Sequence, residues 1–214
     1  MDLPGRTVER LSEYRRTLLA YLDEDKQFIY SHDLAARLHI TAVQVRRDLM
    51  LIGHTSILRK GYEVQELINA ISRIIDSEET VNVAVIGAGN FGRAIAGYFK
   101  GKRSKLNLVA SFDSDPLKAN KIISGVKCHP YSEAEKLIGK LNIQIAILTV
   151  PPEFAMEIAD DIVRFGIKGI LNFTTISLNV PHGVHLEEYD MLTSMEKVAY
   201  FVKENNAHRH TANH

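Results

Sequence analysis

The sequence predicts an α/β protein in which a small helical domain precedes a doubly wound parallel sheet. From Val81 onward, short apolar runs alternate with segments of helical periodicity, which is the pattern of strand–helix–strand units. The runs are apolar at almost every position, as expected for parallel strands that are covered on both faces. Most of residues 1–80 show amphipathic helical periodicity instead.

A polar linker, SEET at 77–80, marks the expected boundary between the two domains. The last amphipathic segment, MLTSMEKVAYFVKENN, follows the final predicted strand and therefore needs a partner surface. The tail beyond it carries three histidines, which we interpret as a frayed end and not as a metal site. The expected ranges are 1–77 for a winged helix-turn-helix domain, 78–190 for a Rossmann domain, 191–205 for a C-terminal helix and 206–214 for a polar tail.

The composition indicates a cytoplasmic protein without a membrane span. Of the 214 residues, 45% are hydrophobic and 24% are charged, as in ordinary globular domains. The longest apolar runs are too short to cross a bilayer, and the first ten residues lack the apolar stretch of a secretory signal. A single cysteine, Cys128, excludes an intramolecular disulfide framework and fits a reducing compartment.

The helical domain has the pattern of a helix-turn-helix. An amphipathic helix, RTVERLSEYRRTLLAYLDED, precedes two short helices, SHDLAARLHI and TAVQVRRDLMLIG, which only a few residues separate. Ser31 and Thr41 are the expected N-caps of these two helices. The following HTSILRKGYEV lacks helical periodicity and predicts a two-stranded wing, and QELINAISRIID predicts another helix.

The second short helix carries the residue types that read DNA. Its first two turns hold Ala42, Gln44, Val45, Arg46 and Arg47. In a helix-turn-helix this end of the recognition helix meets the major groove, where Gln pairs with adenine and Arg with guanine.

The wing adds Arg59 and Lys60, which suit an adjacent minor groove. The net charge of the whole chain is zero, so any basic DNA-binding patch must be local. A merely solvated, charged helix face is the alternative interpretation of this segment.

Predicted strands and helices alternate through the second domain. Gly166 is the expected C-cap of the helix EFAMEIADDIVRFG, and His129 is expected on a short connection beside Pro130. The predicted strands are 81–86, 106–112, 143–150, 167–173 and 183–189.

A glycine fingerprint follows the first of these strands. Gly87, Gly89 and Gly92 match G-x-G-x-x-G at the start of a helix, where a dinucleotide's pyrophosphate meets free amides. Asp113 lies twenty-one residues after Gly92 at a predicted strand end. There it would accept hydrogen bonds from the hydroxyl groups of the adenosine ribose. Because a carboxylate repels a 2′-phosphate, the sequence predicts NADH and NAD over their phosphorylated forms. The alternative is a nucleotide-free domain with a structural glycine turn.

Catalytic residues are not predicted. His129, His182, His185 and Cys128 are isolated candidates, and no Tyr-x-x-x-Lys pair, metal cluster or nucleophile motif accompanies them. We therefore predict that the protein is not an enzyme. Two alternatives are a small NAD-dependent oxidoreductase and an NAD-binding regulator that acts on a protein partner.

These motifs together resemble the Rex family of bacterial redox-sensing transcriptional repressors. The resemblance runs from Thr7 to Val202 and rests on segments that include SHDLA, TAVQVRRDL, GYEV, GAGNFGRA, SFDSDP, TVP and GIKGILNF. It implies a homodimer with an N-terminal winged helix, a C-terminal Rossmann domain and a last helix that swaps into the partner subunit. It also implies that the protein binds a palindromic operator, that NADH releases it from this DNA, and that NAD permits the binding.

The resemblance carries roles for individual residues. It implies that Arg16 and Asp190 pair as a switch and that Tyr98 lies near the nicotinamide. The implied DNA contacts are Ser31, Thr41, Ala42, Gln44, Arg46, Arg47, Arg59 and Lys60. The implied cofactor contacts are Gly87, Ala88, Gly89, Asn90, Phe91, Gly92, Tyr98, Asp113, Thr149, Val150, Pro151, Asn172 and Phe173.

Two segments depart from the family pattern. Ile57 and Leu58 stand where family members carry a Lys-Arg pair at the wing, and Ser56 stands where they carry glycine. NFTTISL replaces the usual NFAP near the nicotinamide. Either the operator differs from the family's usual one, or DNA binding is altered or lost.

Overall fold

The computed structural model describes residues 3–24, 26–57, 60–99 and 105–211, in two compact units. The units are Met1–Glu79 and Thr80–His214. Among the described residues, no helix combines the length and the apolar character that a bilayer crossing requires.

The first unit packs four helices around one core. The elements are α1 (Gly5–Asp23), β1 (Phe28–Ile29), α2 (Ser31–Leu38), α3 (Ala42–Leu51), β2 (Tyr62–Glu63) and α4 (Val64–Ile75). Helices α2 and α3 are the predicted helix-turn-helix, and the turn between them contains His39 at a φ of 54°. The largest buried side chains come from α1, α2, α3 and α4: Leu11, Tyr14, Leu18, Leu34, Leu49, Leu67 and Ile71.

The small sheet of this unit differs from the predicted wing. Strand β2 pairs antiparallel with β1, which precedes α2, with Ile29 opposite Tyr62. Within the predicted wing, Ile57 and Gly61 form only an isolated bridge. Gly61 has a φ of +80°, and a Cβ there would lie 2.5 Å from the Ile29 carbonyl oxygen. The close approach of β1 therefore requires glycine at this turn, which periodicity does not reveal.

The second unit is a Rossmann sheet, as predicted. Its described strands lie in the order β5-β6-β4-β3-β7-β8-β9, and all neighbours are parallel except β5 and β6. The elements are β3 (Val81–Ile86), α5 (Asn90–Phe99), β4 (Leu106–Asp113), β5 (Ile122–Ile123), β6 (Val126–Pro130), a 3₁₀ turn (Tyr131–Glu133), α6 (Ala134–Lys140), β7 (Ile143–Leu148), α7 (Pro152–Arg164), β8 (Gly169–Asn172), β9 (His185–Glu188) and α8 (Met191–Thr211).

The order of the strands creates the cleft. The chain runs outward from β3 to β4 and β6, then returns to the other side of β3 for β7 and β8. Ligands bind at such a reversal, outside the carboxyl ends of the strands. The turns after β3, β4, β7 and β8 therefore share one edge of the sheet.

The expectation that His129 lies on a connection was wrong. His129 belongs to β6 and pairs with Phe112 of β4. Only Cys128 of this short strand is fully buried. The run VKCHP therefore needs few apolar residues, and its sequence cannot be distinguished from that of a loop. Pairing with β4, which is distant in sequence, determines the strand.

Between Met191 and Glu204, helix α8 packs no side chain into the core. Each of its side chains from Met191 to Glu204 is exposed. The large apolar ones are between 55% and 66% exposed: Met191, Leu192, Met195, Val198, Tyr200, Phe201 and Val202.

Candidate cofactor cleft and recognition helix

The glycine turn after β3 has no room for side chains. Gly87 has a φ of +97°, and a Cβ there would lie 2.7 Å from the Thr149 carbonyl oxygen. A Cβ on Gly92 would lie 2.0 Å from the Gly87 carbonyl oxygen, so α5 packs directly on the turn. The Thr149 hydroxyl donates to the Gly87 carbonyl at 2.7 Å and ties the end of β7 to the same turn. The backbone is therefore open to a phosphate group.

Asp113 connects the end of β4 to this turn. Its Oδ2 accepts the Ala88 N–H at 2.7 Å and the Lys118 ammonium at 3.0 Å, while Oδ1 accepts the Asp115 N–H at 2.9 Å. The carboxylate thus shapes the glycine turn as well as facing the cleft. The glycine fingerprint predicts Asp113 but not Lys118, whose role depends on the loop after β4.

A cavity of about 690 Å³ opens beside Asp113. Its apolar wall includes Val150, Pro151, Phe154 and Ile158, which follow β7. Four carboxylates also line the cavity: Asp113, Asp115, Glu157 and Asp161. The carboxylate of Asp113 beside bare backbone and an apolar wall suits an adenosine. Predicted residues that line the cavity are Gly87, Gly89, Asp113, Thr149, Val150 and Pro151.

A smaller cavity of about 320 Å³ lies on the β8 side of the turn. Phe91 packs edge-on against Phe173 at 5.4 Å between ring centroids, and Phe173 stacks on Tyr189 at 5.0 Å. Thr174, Asp190 and apolar side chains at the start of α8 complete the lining. The sequence predicted Phe91 and Phe173, but it contained no signal for Tyr189.

Asn172 and Tyr98, which the resemblance also implies as cofactor contacts, do not line the aromatic cavity. The buried Asn172 donates to the Ile176 carbonyl at 2.8 Å and accepts the Thr174 N–H and hydroxyl at 2.9 and 2.7 Å. Its amide therefore holds the TTIS loop that departs from the family pattern. Tyr98 is 65% exposed near the end of α5 and lines neither of the two cavities.

The start of α2 differs by one residue from the prediction. Tyr30, in extended conformation, is the N-cap, and its N–H donates to the Asp33 carboxylate at 3.2 Å. Ser31 is therefore the first helical residue, and its hydroxyl accepts a hydrogen bond from Arg46 at 3.1 Å. This contact links the helices of the helix-turn-helix. At α3, Thr41 is the N-cap as predicted, because its hydroxyl accepts the Gln44 N–H at 3.1 Å.

Gln44 belongs to a buried network centred on Asp48, which is 1% exposed. Arg10 donates to both carboxylate oxygens, at 2.6 and 2.8 Å, and Tyr14 donates at 2.7 Å. Gln44 completes the network at 2.9 Å. Burial alone would raise the pKa of Asp48, but these donors outweigh it and hold that pKa below its ordinary value.

The other predicted DNA contacts divide into exposed and buried side chains. Arg46 and Arg47 are exposed on α3, and Ala42 is partly buried. Val45 is fully buried in the core, so it faces away from any ligand. Lys60 lies 5.8 Å above the Phe28 ring, whereas Arg59 and Leu58 fall outside the described residues.

Arg16 and Asp190 belong to different units. Arg16 is exposed on α1. Asp190 caps α8, since its Oδ1 accepts the Leu192 and Thr193 N–H groups at 2.9 and 3.1 Å. The hydrogen bond from the Thr193 side chain and these amides lower the pKa of Asp190. The sequence did not predict this cap.

Two family models match the chain. One, described as a CoA binding domain, matches residues 78–176, and one described as a putative DNA-binding protein N-terminus matches residues 2–49.

Similar full-length proteins have one name in common. Redox-sensing transcriptional repressor Rex of an Exiguobacterium species is 35% identical and aligns with 94% of this chain and 92% of its own length. Rex of Leuconostoc citreum is 36% identical over 94% of this chain and 93% of its own. Rex of Levilactobacillus brevis is 34% identical over 96% and 97%.

Solved structures of one such repressor share the fold. RSP in complex with β-NAD⁺ and operator DNA matches with a TM-score of 0.89 at 34% identity, over 100% of this chain and 99% of that one. RSP in complex with β-NADH matches with a TM-score of 0.85 at the same identity, over 99% of both chains.

Proposed function

The chain belongs to the Rex family of redox-sensing transcriptional repressors, and from this premise we propose that it binds operator DNA and that NADH releases it. RSP has been crystallised with NAD⁺ together with operator DNA, and also with NADH. The same two cofactors, NADH and NAD⁺, are the ligands of this chain. A repressor acts where the chromosome is, so the cytoplasm is its compartment.

The observation that carries the cofactor assignment is the packing of the glycine turn. A Cβ on Gly92 would lie only 2.0 Å from the Gly87 carbonyl oxygen. Asp113 accepts the Ala88 N–H and so fixes the same turn. A turn so free of side chains suits a pyrophosphate. The assigned contacts are Gly87, Ala88, Gly89, Asn90, Phe91, Gly92, Asp113, Thr149, Val150, Pro151 and Phe173, with Asn172 holding the loop beside Phe173.

The adenosine and the nicotinamide lie on opposite sides of this turn. Asp113 follows β4 on one side of β3, and Phe173 follows β8 on the other. The aromatic cavity of Phe91, Phe173 and Tyr189 receives the nicotinamide. A neutral reduced ring enters an apolar cavity at lower desolvation cost than the cationic oxidised ring. This difference supports preferential binding of NADH.

The cofactor controls DNA binding only through the free energy with which it binds the protein. NADH shifts the protein from its DNA-binding arrangement only by the difference in its affinity for the two arrangements. Asp190 caps α8 and lies in the lining of the nicotinamide cavity, so it connects the cofactor to that helix. Pairing of Arg16 with Asp190 in the NADH-bound state would extend this connection to the DNA-binding unit.

The exposed α8 supports a homodimer. Its large apolar side chains are more than half exposed, and burial of such a surface is strongly favourable in water. We assign them to contacts with a second subunit, into which the helix swaps. We keep Tyr98 as a contact near the nicotinamide on the resemblance to the family; within the described subunit it is 65% exposed and lines neither cavity.

Two winged helices in a dimer suit a palindromic operator. In each subunit, α3 presents Arg46 and Arg47 to the DNA, and Gln44 holds α3 in place through Asp48. Ser31, Thr41, Ala42, Arg59 and Lys60 are the supporting contacts. The Rex family consists of transcriptional repressors and not of enzymes, so the alternative of an oxidoreductase does not apply.

The experiment that tests this function has two parts. Duplexes are first selected from a random library with the full-length protein, and affinity for the selected duplex is measured by fluorescence anisotropy. NADH and NAD⁺ affinities are then measured by calorimetry. We expect a palindromic duplex, salt-sensitive binding and tighter binding of NADH than of NAD⁺. Failure to select any duplex, while NADH still binds, would instead support a regulator that acts on a protein partner.

A further inference from the structure

The outer face of α3 carries two apolar side chains beside its two arginines. Val43, Arg46, Arg47 and Met50 are exposed and follow the three- and four-residue spacing of one helix face. Val43 is 65% exposed and Met50 66% exposed. The opposite face, with Val45 and Leu49, is fully buried in the core.

Gln44 does not belong to this outer face. It is partly buried, and its side-chain amide donates to Asp48 at 2.9 Å. Asp48 is fixed in turn by Arg10 and Tyr14 of α1. A base contact by Gln44 would remove a donor from a buried carboxylate, which is costly. Gln44 therefore holds α3 against α1.

Among the first three residues of α3, Val43 is the one that is both exposed and uncommitted. Ala42 is partly buried, and Gln44 is bonded to Asp48. Valine is a poorer helix former than alanine, and its exposed isopropyl group contributes little to the core. Stability of the free protein thus gives no reason for valine at this position.

The position of Val43 suggests what it contacts. The N-terminal end of a recognition helix meets base edges in the major groove. The apolar group that base pairs present there is the 5-methyl group of thymine. Arg46 and Arg47 lie one helical turn further on, where they fix the register of the helix on phosphates or guanine. The Ser31 hydroxyl orients Arg46 at 3.1 Å.

We propose that Val43 determines operator specificity by contacting the 5-methyl group of one thymine in each half-site, while Gln44 positions α3 and reads no base. This inference rests on the proposed function. It assigns base recognition to a residue that the sequence motifs do not single out.

The test removes one methyl group from the DNA and others from the protein. In the duplex selected by the full-length protein, each thymine is replaced singly by deoxyuridine, which lacks only the 5-methyl group. We expect one thymine per half-site to be sensitive, with affinity falling about fourfold when its methyl group is removed. Val43→Ala should bind the unmodified duplex more weakly and lose nothing further when that thymine is replaced.

Met50→Ala is the matched control. Met50 is as exposed as Val43 and lies on the same face, but it is two turns further along α3. This variant should keep the uracil profile of the wild-type protein. Gln44→Ala should select the same base sequence, with a lower melting temperature.

Each part of the inference has an outcome that overturns it. A flat uracil profile, or one that Val43→Ala leaves unchanged, would overturn the role of Val43 while the proposed function stands. A Gln44→Ala variant with relaxed preference at one base pair would overturn the positioning role of Gln44. Failure of the wild-type protein to select any duplex would overturn the proposed function itself, before any uracil is introduced.

Discussion

Asp113 accepts the backbone N–H of Ala88 at 2.7 Å, so one carboxylate joins the end of β4 to the glycine turn. The residue that we propose as the acceptor of the ribose hydroxyls therefore also fixes the turn that we propose for the pyrophosphate. Lys118, 3.0 Å from the same oxygen, holds that carboxylate in place. Hydrogen bonds that hold this turn in one conformation lower the entropy cost of binding the proposed cofactor.

Asp113→Ala should weaken NADH binding more than about tenfold, because the ribose loses an acceptor and the Ala88 N–H loses a charged partner. Asp113→Asn, which keeps one acceptor oxygen, should lose less. Calorimetric titration with NADH measures both. Asp160→Ala, at an exposed position of α7, is the control and should bind as wild type. Wild-type affinity in Asp113→Ala would contradict the assignment of the cleft.

Gly92→Ala should abolish NADH binding and lower the melting temperature, since the new Cβ would lie 2.0 Å from the Gly87 oxygen. Gly97→Ala is its matched control in the same helix. At Gly97 a Cβ meets nothing within 4 Å, so that variant should be stabilised by up to about 1 kcal/mol. Thermal unfolding and NADH titration distinguish the two. Equal behaviour of both variants would show that the turn is not closely packed.

Asp48 should make the DNA-binding unit sensitive to acid. Folding lowers the pKa of Asp48 below its ordinary value of 3.8, so its contribution is fully present above that value. The contribution is lost as the pH falls through the folded pKa. Asp48→Asn should lower the free energy of unfolding by about 3 kcal/mol at neutral pH. At strongly acid pH the same substitution should lower it much less. Urea unfolding followed by circular dichroism across this range is the measurement, and a pH-independent difference would exclude the mechanism.

If Arg47 contacts a phosphate, Arg47→Ala should weaken DNA binding at all sequences. It should also reduce the slope of log affinity against log salt concentration by about one. Anisotropy at several salt concentrations gives the slope. Arg73→Ala removes another exposed charge, from α4, and should leave the slope unchanged. Loss of slope in both variants would indicate a diffuse electrostatic effect.

Val198→Asp should convert the proposed dimer into a monomer, because it places a charge in the apolar surface of α8. Val198 is 63% exposed in the chain, so the fold of the subunit should survive. Sedimentation equilibrium at micromolar concentration measures the change. Lys197→Glu, at the neighbouring exposed position, controls for the added negative charge. A dimeric Val198→Asp protein would exclude α8 from the interface.

Local chemistry predicted most of the fold. Thr41 as an N-cap and the predicted strands 81–86 and 106–112 depend on short-range signals, and the structure has the cap and both strands, the second extended to Asp113. The prediction of Gly166 as the C-cap of α7 was wrong by one residue: Phe165 is the C-cap, and Gly166 follows it with a φ of 108°. The β6 strand and the pairing of β1 with β2 depend on contacts distant in sequence, which periodicity does not encode.

The site was less predictable than the fold, for the same reason. The glycine spacing identified the turn, but Tyr189 meets Phe173 only through the pairing of β8 with β9. Gln44 carries the residue type of a base reader, yet a residue four positions along the same helix holds it inward. Exposure, and not residue type, distinguishes Val43 from the buried Val45.

The measurement that tests the central claim most directly is release of a preformed complex. The protein is bound to its selected, labelled duplex, and anisotropy is followed as NADH or NAD⁺ is added at the same salt concentration. We predict that NADH releases the duplex at concentrations at which NAD⁺ leaves the complex intact. A complex that neither cofactor dissociates, or that both dissociate at equal concentrations, would contradict redox sensing by this protein.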